Sequence, residues 1–494
     1  MTSRIISALL LTSVLLIPAC RPPAVYFPDE SMKDAAKAAN AVRAYDTNGD
    51  SIADFFLISS SNGRVNVLGY DTDGDEKPDE LINLDAIKPA NTRHLVIILD
   101  GVPFDLVQQM RNEGSLAVFH QPSRVIAPYP TTTDVCFEDF FSYSPCPAFE
   151  ALYFDRRKNK LVGGKIAYLK GDNAPYNQLL DYRANLLWDI IGYVYPKEVF
   201  TKEINDAKRL FDKRQSQEVI TYFVSSAGVG TAAGSPGHRF CLDIVERFIL
   251  QVLWETRGLV NITLLADHGH TYTPARPADI AGHLESRGWN ITEKLIGDND
   301  VVYPRFGLET FAGFSTRRSN ALAVDLIDAE GVEIVSYVNG SDVIVIGSNG
   351  AKAVISENDG KFKYHCKSGD PLDLEKILAT IQANSNGYRD RDALLAATAD
   401  HIFPAPLQRL WRAHFALVEN PPDVIASLEN DYFSGSESFS NRVTVASTHG
   451  GLNRANTTTF IMSTLGTLPP VLRTADIPRN LSELLDRKFP AGKK

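Results

Sequence analysis

The apolar residues of the chain occur largely as short continuous runs that alternate with amphipathic, helix-like stretches. The helix-like stretches include residues 104–112 and 239–256. Runs that predict strands, several of them aliphatic enough to be buried on both faces, cover residues 95–99, 222–226, 260–266 and 442–447. This alternation predicts an α/β fold with a mostly parallel central sheet flanked by helices.

Two other parts of the chain predict antiparallel β-structure. Residues 332–366 contain short strands separated by Asn-Gly and Asp-Gly turns. They predict a small β insertion, which either interrupts the α/β core or packs on its edge. Residues 55–58 and 64–68 flank a Ser/Asn/Gly turn and predict an N-terminal β-hairpin. Residues 375–400 are expected to be helical.

The length of 494 residues accommodates two or three domains, or one large domain with insertions. The formal net charge is −10 and no Lys/Arg run is present, so we do not expect a nucleic acid duplex as partner. The expected divisions are a signal peptide over 1–19, a linker over 20–40, an Asp-rich hairpin over 41–84 and an α/β domain over 85–494, with 275–430 as an insertion or cap.

The N-terminus has the composition of an export signal. A short positive region is followed by apolar residues 5–17, and then by Ala19 and Cys20. This order resembles the lipobox of bacterial lipoproteins. The resemblance implies cleavage before Cys20, lipidation of its thiol and a membrane-anchored protein in the periplasm or on the cell surface. An ordinary signal peptide is the alternative, and it also implies export.

Four cysteines remain after Cys20, namely Cys136, Cys146, Cys241 and Cys366. In an exported chain they allow two disulfides in three possible pairings. Cys136–Cys146 is the favoured pair because the loop between them is short and contains Pro145.

Two Asp-rich units surround the predicted hairpin and share one spacing. Acidic or amide side chains stand at positions 1, 3, 5 and 9, with glycine at the turn, which suits the oxygen coordination of Ca²⁺. The units resemble the loops of dockerin-like and integrin-like repeats, although solvated acidic turns would have the same composition. The predicted ligands are Asp46, Asn48, Asp50 and Asp54 in the first unit and Asp71, Asp73, Asp75 and Asp79 in the second.

Potential metal ligands directly follow three of the predicted strands. Asp100 follows residues 95–99, Asp267 and His268 follow residues 260–266, and His449 lies just after residues 442–447. In a parallel sheet these strand ends share one edge, so the side chains are expected to converge. Asp and His are good zinc ligands. Asp100 taken alone would equally suit a helix cap in a tight turn.

The order L-D-G, P-x-x-T, D-H-G and T-H-G resembles the alkaline phosphatase superfamily, especially its nucleotide pyrophosphatase/phosphodiesterase-like branch. The resemblance spans roughly residues 90–275 and 430–485. It implies that Asp100, Asp267 and His268 bind one zinc ion and that His449 binds a second. It also implies that Thr133, with Thr132 as the fallback, is a nucleophile in contact with the metal.

The resemblance implies in-line attack on the phosphorus of a small phosphoester, either a monoester or a diester. Sulfatases of this superfamily carry a C-x-P-x-R motif, which neither Cys136 nor Cys146 begins. A phosphoester is therefore favoured over a sulfate ester.

One departure concerns the second metal. The family carries an Asp and, four residues later, a His just after the strand that matches residues 222–226. This chain has no Asp there, and its first histidine is His238, which would otherwise be an ordinary residue at the start of a helix. His238, His270 or a water would have to complete the site. The alternatives to a one- or two-zinc hydrolase are a degenerate anion-binding lipoprotein of the same fold and a calcium-stabilised binding lipoprotein.

Overall fold

The computed structural model describes residues 22–59, 63–164, 167, 174–184, 195–435 and 444–492. The predicted signal peptide, Cys20 and the first two residues of the predicted strand 442–447 lie outside these ranges. The remainder of that strand, residues 444–447, is irregular, so the prediction of a strand there is wrong.

A central sheet of seven strands forms the core of the described chain. Four of its pairings are parallel, and the two made by Thr458–Ser463 are antiparallel. This confirms the predicted mostly parallel sheet. Its spatial order is Val471–Arg473, Ser123–Ile126, Thr458–Ser463, Val260–Ala266, Arg93–Leu99, Glu218–Phe223 and Tyr182–Arg183.

Both faces of the strand Arg93–Leu99 are buried, as its aliphatic composition predicts. Leu95 and Ile97 pack in one apolar cluster with the helix Ser225–Glu255. Val96 and Ile98 pack on the other face with the helix Ile477–Leu485. The strand is therefore central to two apolar layers, which fixes the position of the residue that follows it.

Helices cover the sheet, and some of their bounds differ from the predictions. The predicted strand 222–226 ends at Phe223, and a helix already begins at Ser225, with non-helical backbone at Gly234. Residues 375–400 form two short helices around the strand Arg389–Asp390 rather than one long helix. The helices are Lys33–Ala38, Phe104–Asn112, Thr133–Phe141, Pro196–Lys213, Ser225–Glu255, Ile280–Ser286, Ser319–Leu326, Glu375–Leu378, Arg391–Thr398, Pro406–Phe415, Arg454–Thr457 and Ile477–Leu485. None of them is long and apolar enough to cross a membrane.

A second large sheet lies within the region 275–430. The predicted meander supplies four of its nine strands, so the antiparallel structure is larger than expected. Its spatial order is Asn290–Ile291, Asp300–Val302, Phe311–Thr316, Val424–Leu428, Val332–Asn339, Asp342–Gly347, Lys352–Asn358, Lys361–Ser368 and Arg389–Asp390. Two small sheets consist of Arg276–Pro277, Tyr432–Gly435 and Leu308–Glu309, and of Leu152–Asp155 and Lys160–Gly163.

The predicted N-terminal hairpin is confirmed and belongs to a four-stranded antiparallel sheet. Its strands are Arg43–Tyr45, Phe55–Ser59, Val65–Tyr70 and Glu80–Asn83. Side chains such as Phe55 and Leu68 join the same apolar cluster as the central sheet. The N-terminal sheet is thus packed onto the α/β core.

Residues 24–27 are also bound to the core, although a linker was expected over 20–40. The Ala24 N–H donates to Asn205 Oδ1 (2.6 Å), and Gln251 Nε2 donates to the Ala24 carbonyl (2.8 Å). Phe27 is buried in the main apolar cluster. The described part of this segment is therefore held against two helices.

The cysteines do not form the favoured disulfide. Cys136 and Cys146 are both free and buried, and the Cys146 thiol donates to the Asp134 carbonyl (3.4 Å). Cys241 and Cys366 are free as well. The prediction of a Cys136–Cys146 pair is therefore wrong for this structure, because each thiol is packed separately in the core.

Candidate functional site

The Asp100 and Asp267 side chains follow neighbouring parallel strands of the central sheet. Leu99 pairs with Ala266 in register, so the two carboxylates leave the same edge of the sheet. Asp267 Oδ1 accepts hydrogen bonds from the backbone N–H of Gly101 and of His268, both at 2.9 Å. After the N–H of Gly101, the chain turns at this residue with a φ of +72°, a conformation that glycine adopts readily.

The His268 side chain completes a trio of ligands with these carboxylates. Its Nδ1 lies 3.0 Å from the Gly269 carbonyl, so this nitrogen carries the proton and donates it. Nε2 then carries the lone pair and lies 3.4 Å from Asp100 Oδ1 and 3.6 Å from Asp267 Oδ2. It has no hydrogen bond in the described chain. Three acceptors within 4.8 Å of one another fit a cation between them.

The electrostatics of the trio also favour a cation. Burial raises the pKa of Asp267, although the hydrogen bonds from Gly101, His268 and the Thr133 hydroxyl lower it. Burial lowers the pKa of His268 to about 4, so this imidazole is neutral at pH 7. A divalent ion would supply the positive charge that two buried carboxylates need beside a neutral imidazole.

Thr133, rather than its two neighbours, has its hydroxyl beside the trio. Thr131 Oγ1 accepts from the Gly450 N–H (2.8 Å), and Thr132 Oγ1 donates to the Phe149 carbonyl (3.0 Å). Both side chains are buried. Thr133 begins the helix Thr133–Phe141, and its hydroxyl lies beside the Asp267 carboxylate. Thr133 and the fallback Thr132 therefore differ in this structure, because the Thr132 hydroxyl is bonded to the Phe149 carbonyl and the Thr133 hydroxyl lies beside the trio.

His449 also lies at the site, on a loop rather than after a strand. Its ring stacks on that of His268 with centroids 4.0 Å apart. Its Nδ1 lies 2.9 Å from the Thr131 carbonyl and 3.1 Å from Glu309 Oε2. Burial lowers the pKa of His449 well below its usual value. The imidazole is therefore neutral and donates from Nδ1.

His238 is buried next to these residues but offers no lone pair. Its Nε2 donates to the Ser226 carbonyl (3.1 Å), and its Nδ1 accepts from the Tyr272 hydroxyl (2.8 Å). Its ring fills the space over Gly230, where an added Cβ would lie 2.0 Å from His238 Nε2. The predicted ligand role of His238 finds no support in this arrangement, because both ring nitrogens are already used.

Two residues at the site were not predicted from the sequence. The Tyr222 hydroxyl donates to Asp100 Oδ2 at 2.5 Å and is fully buried. Glu309 ends the short strand Leu308–Glu309. Burial together with the Glu150 and Asp100 carboxylates raises the pKa of Glu309. Tyr222 lies inside an apolar strand and Glu309 in a segment without a motif, so neither had a signal in the sequence.

The two Asp-rich loops lie side by side at one edge of the N-terminal sheet. The Asp71 N–H donates to the Asp54 carbonyl (3.1 Å). In the first loop Asp46 accepts from the Gly49 N–H (2.6 Å), and in the second Asp71 accepts from the Gly74 N–H (2.7 Å). The loops therefore have matching backbone turns, and Asp71, Asp73 and Asp79 have oxygens within 4.8 Å of one another.

Neither a family model nor a curated protein sequence matches the chain. Among solved structures it is similar to murine ectonucleotide pyrophosphatase/phosphodiesterase 5, with 11% identity and a TM-score of 0.45 over 81% of this chain and 97% of that one. For an inactive variant of the murine protein in complex with AMP, the identity is 9% and the TM-score is 0.43 over 82% of this chain and 97% of that one. For the human protein, the identity is 9% and the TM-score is 0.42 over 81% of this chain and 97% of that one. These names fall in the branch that the motifs resemble, but similarity of this degree assigns neither activity nor substrate to the chain.

Proposed function

We propose that the chain is a zinc-dependent hydrolase of phosphoric esters with Thr133 as its nucleophile. The observation that carries this proposal is the ligand trio of Asp100, Asp267 and His268 beside the Thr133 hydroxyl. Two carboxylate oxygens and one imidazole nitrogen match the three protein ligands of a catalytic zinc site with an open position.

The surroundings of Thr133 suit attack on a phosphoester. The residue begins a nine-residue helix, whose first N–H groups and positive dipole end favour a phosphoryl anion there. The Thr133 oxygen would bond to phosphorus as the bond to the leaving oxygen breaks, and water would then hydrolyse the Thr133 ester. A bound zinc ion would supply a Lewis acid and lower the pKa of an adjacent hydroxyl.

Hydrolysis of chromogenic esters tests the proposal. We expect the zinc-loaded chain to hydrolyse bis(p-nitrophenyl) phosphate or p-nitrophenyl phosphate, which represent diesters and monoesters. Thr133→Ala should lower kcat by about 100-fold or more. Thr132→Ala is the matched control and should retain most activity, because its hydroxyl is bonded to the Phe149 carbonyl. Equal losses in the two variants would contradict Thr133 as the nucleophile.

A degenerate, anion-binding protein is the second candidate. It is favoured by the segment after the strand Glu218–Phe223, which is helical and has only small side chains where the family carries its Asp and His. A chain that binds zinc and inorganic phosphate but hydrolyses neither ester would support this candidate over the hydrolase.

The Asp-rich loops are proposed to bind Ca²⁺ and to stabilise the N-terminal sheet. The second loop brings three carboxylate oxygens together, as the ion requires, and the first loop has the same backbone turn. Calcium should raise the Tm of the chain, and the rise should be smaller for Asp71→Asn. An unchanged Tm at millimolar calcium would contradict the proposal.

Export and lipid anchoring at Cys20 are proposed from the lipobox-like sequence alone. In a bacterial host, the chain should incorporate labelled palmitate and fractionate with membranes. Cys20→Ala should abolish the labelling. A labelled variant would exclude Cys20 as the acylated residue.

A further inference from the structure

Three histidines at the site share one hydrogen-bonding pattern. His268, His270 and His449 each place Nδ1 against an oxygen, and the Nε2 atoms of His268 and His270 are buried without a hydrogen bond in the described chain. The oxygens are the Gly269 carbonyl, the Ser447 hydroxyl and the Thr131 carbonyl. Metal-binding histidines typically anchor one ring nitrogen in this way and present the other to the ion. His270 thus has the ligand pattern of His268, and His449 shares the contact of Nδ1 with an oxygen.

His270 has a buried ring nitrogen that no group of the described chain satisfies. Its side chain is 1% exposed, and its Nε2 is buried without a hydrogen-bond partner. A buried nitrogen of this kind costs free energy unless a ligand satisfies it. The edge that carries Nε2 faces Gly101, since a Cβ there would lie 2.8 Å from His270 Cδ2 and 3.2 Å from His268 Cε1. The Cδ2 edge of the His270 ring therefore faces the Asp100–Gly101 turn, next to His268 of the first ligand trio.

The spacing of the rings suits one ion between His270 and His449. Their centroids are 5.4 Å apart at an interplanar angle of 51°. With Zn–N bonds of about 2.0 Å and tetrahedral angles, two imidazoles on one zinc ion have centroids about 5 Å apart. His268 and His449 are instead stacked at 4.0 Å and 24°, which is too close for that arrangement.

We infer that His270 and His449 bind a second divalent cation, and that His270 replaces ligands which the resembled family carries after the matching strand. His270 must then donate from Nδ1 to Ser447 Oγ, which can accept this bond as well as the one from the Tyr272 N–H (2.9 Å). The inference rests on the proposed function, because the first ion would be bound by Asp100, Asp267 and His268.

Zinc binding to the metal-free full chain tests the inference, with Zn²⁺ alone as the probe and a chromophoric chelator as competitor. The wild type should bind two ions, the second more weakly, because it has only two protein ligands. His270→Gln should bind one. His238→Gln is the matched control: it removes a buried imidazole of the same cluster whose two nitrogens are already hydrogen-bonded, and it should still bind two.

Circular dichroism establishes that each variant is folded, and His449→Gln replaces His270→Gln if the latter does not fold. Absorption of the Co²⁺-loaded chain gives an independent readout, since the bands of the second equivalent should be absent in the variant. One ion in the wild type with intact ester hydrolysis would overturn the inference and leave the proposed function standing. Two ions retained in both His270→Gln and His449→Gln would overturn it as well. A wild type that binds no zinc would instead refute the proposed function.

Discussion

The hydrogen bond from Tyr222 to Asp100 gives the sharpest test of the metal centre. Tyr222 is 1% exposed and its hydroxyl donates to Asp100 Oδ2, while Asp100 Oδ1 faces His268. Tyr222→Phe removes this donor and leaves the ring in place. The carboxylate then loses the contact that orients it toward the ligand trio.

The expected magnitude follows from two independent considerations. A hydrogen bond to a charged group contributes about 1.5–3 kcal/mol. Loss of a residue that orients a metal ligand typically weakens metal binding by about 10–100-fold, which corresponds to about 1.4–2.8 kcal/mol. We therefore expect the Kd for the first zinc ion to rise by about 10–100-fold in Tyr222→Phe.

Competition titration with a zinc chelator measures this change directly. Tyr176→Phe is the matched control, because Tyr176 is equally buried and donates to Asp134 at 2.6 Å, yet Asp134 is not a proposed ligand. Both tyrosine rings also pack against Phe137. A folded Tyr222→Phe chain whose zinc Kd matches that of Tyr176→Phe within threefold would refute the assignment of Asp100 as a ligand.

Three further outcomes are expected. The first concerns His414, since burial lowers the pKa of this side chain to about 4 from its usual 6.5. Between these pH values the unfolded chain binds a proton that the folded chain does not. The contribution of neutral His414 to the free energy of unfolding is therefore fully present above pH 6.5 and is lost as the pH falls toward 4. Between pH 6.5 and 4, the free energy of unfolding measured with urea should fall by up to about 3 kcal/mol less in His414→Gln than in the wild type. Identical pH profiles of this free energy in the two chains would contradict the prediction. Gly101→Ala should lower the free energy of unfolding by about 1–3 kcal/mol, because φ is +72° and the new Cβ meets His270; an unchanged Tm would count against this geometry. Cys136 and Cys146 should both react with a thiol reagent after unfolding without reductant, whereas a disulfide would protect them.

Elements with a continuous or strongly periodic apolar pattern were predicted most closely from the sequence. The strand Val260–Ala266 and the helix Phe104–Asn112 have the predicted bounds, because their apolar patterns end at Asp267 and at a Glu-Gly pair. The helix that begins at Ser225 was predicted to begin only at residue 239. Its first turns are rich in glycine, which has low helix propensity, and packing against the sheet outweighs that preference.

The residues of the candidate site that could be predicted from the sequence either follow strands or lie in short motifs, as Thr133 and His449 do. Asp100 and Asp267 lie where a parallel sheet places them, and the structure brings them together. Tyr222 reaches the site from within an apolar strand, and Glu309 arrives from a distant segment, so only tertiary packing shows their contacts. His238 is the converse case, since it was a candidate ligand as the first histidine after the strand but its nitrogens are used in hydrogen bonds.

The docking of residues 24–27 bears on how the protein would stand on a bilayer. Ala24 is bound to Asn205 and Gln251, and the Pro22 carbonyl accepts from Arg209, so at most four residue steps separate the proposed lipidated Cys20 from the folded body. A fully extended chain of four residues reaches about 14 Å. An acylated protein would therefore sit directly on the headgroups in a narrow range of orientations, rather than sweep a large volume on a tether. Substrates would have to approach from whichever side of the molecule that seating leaves open.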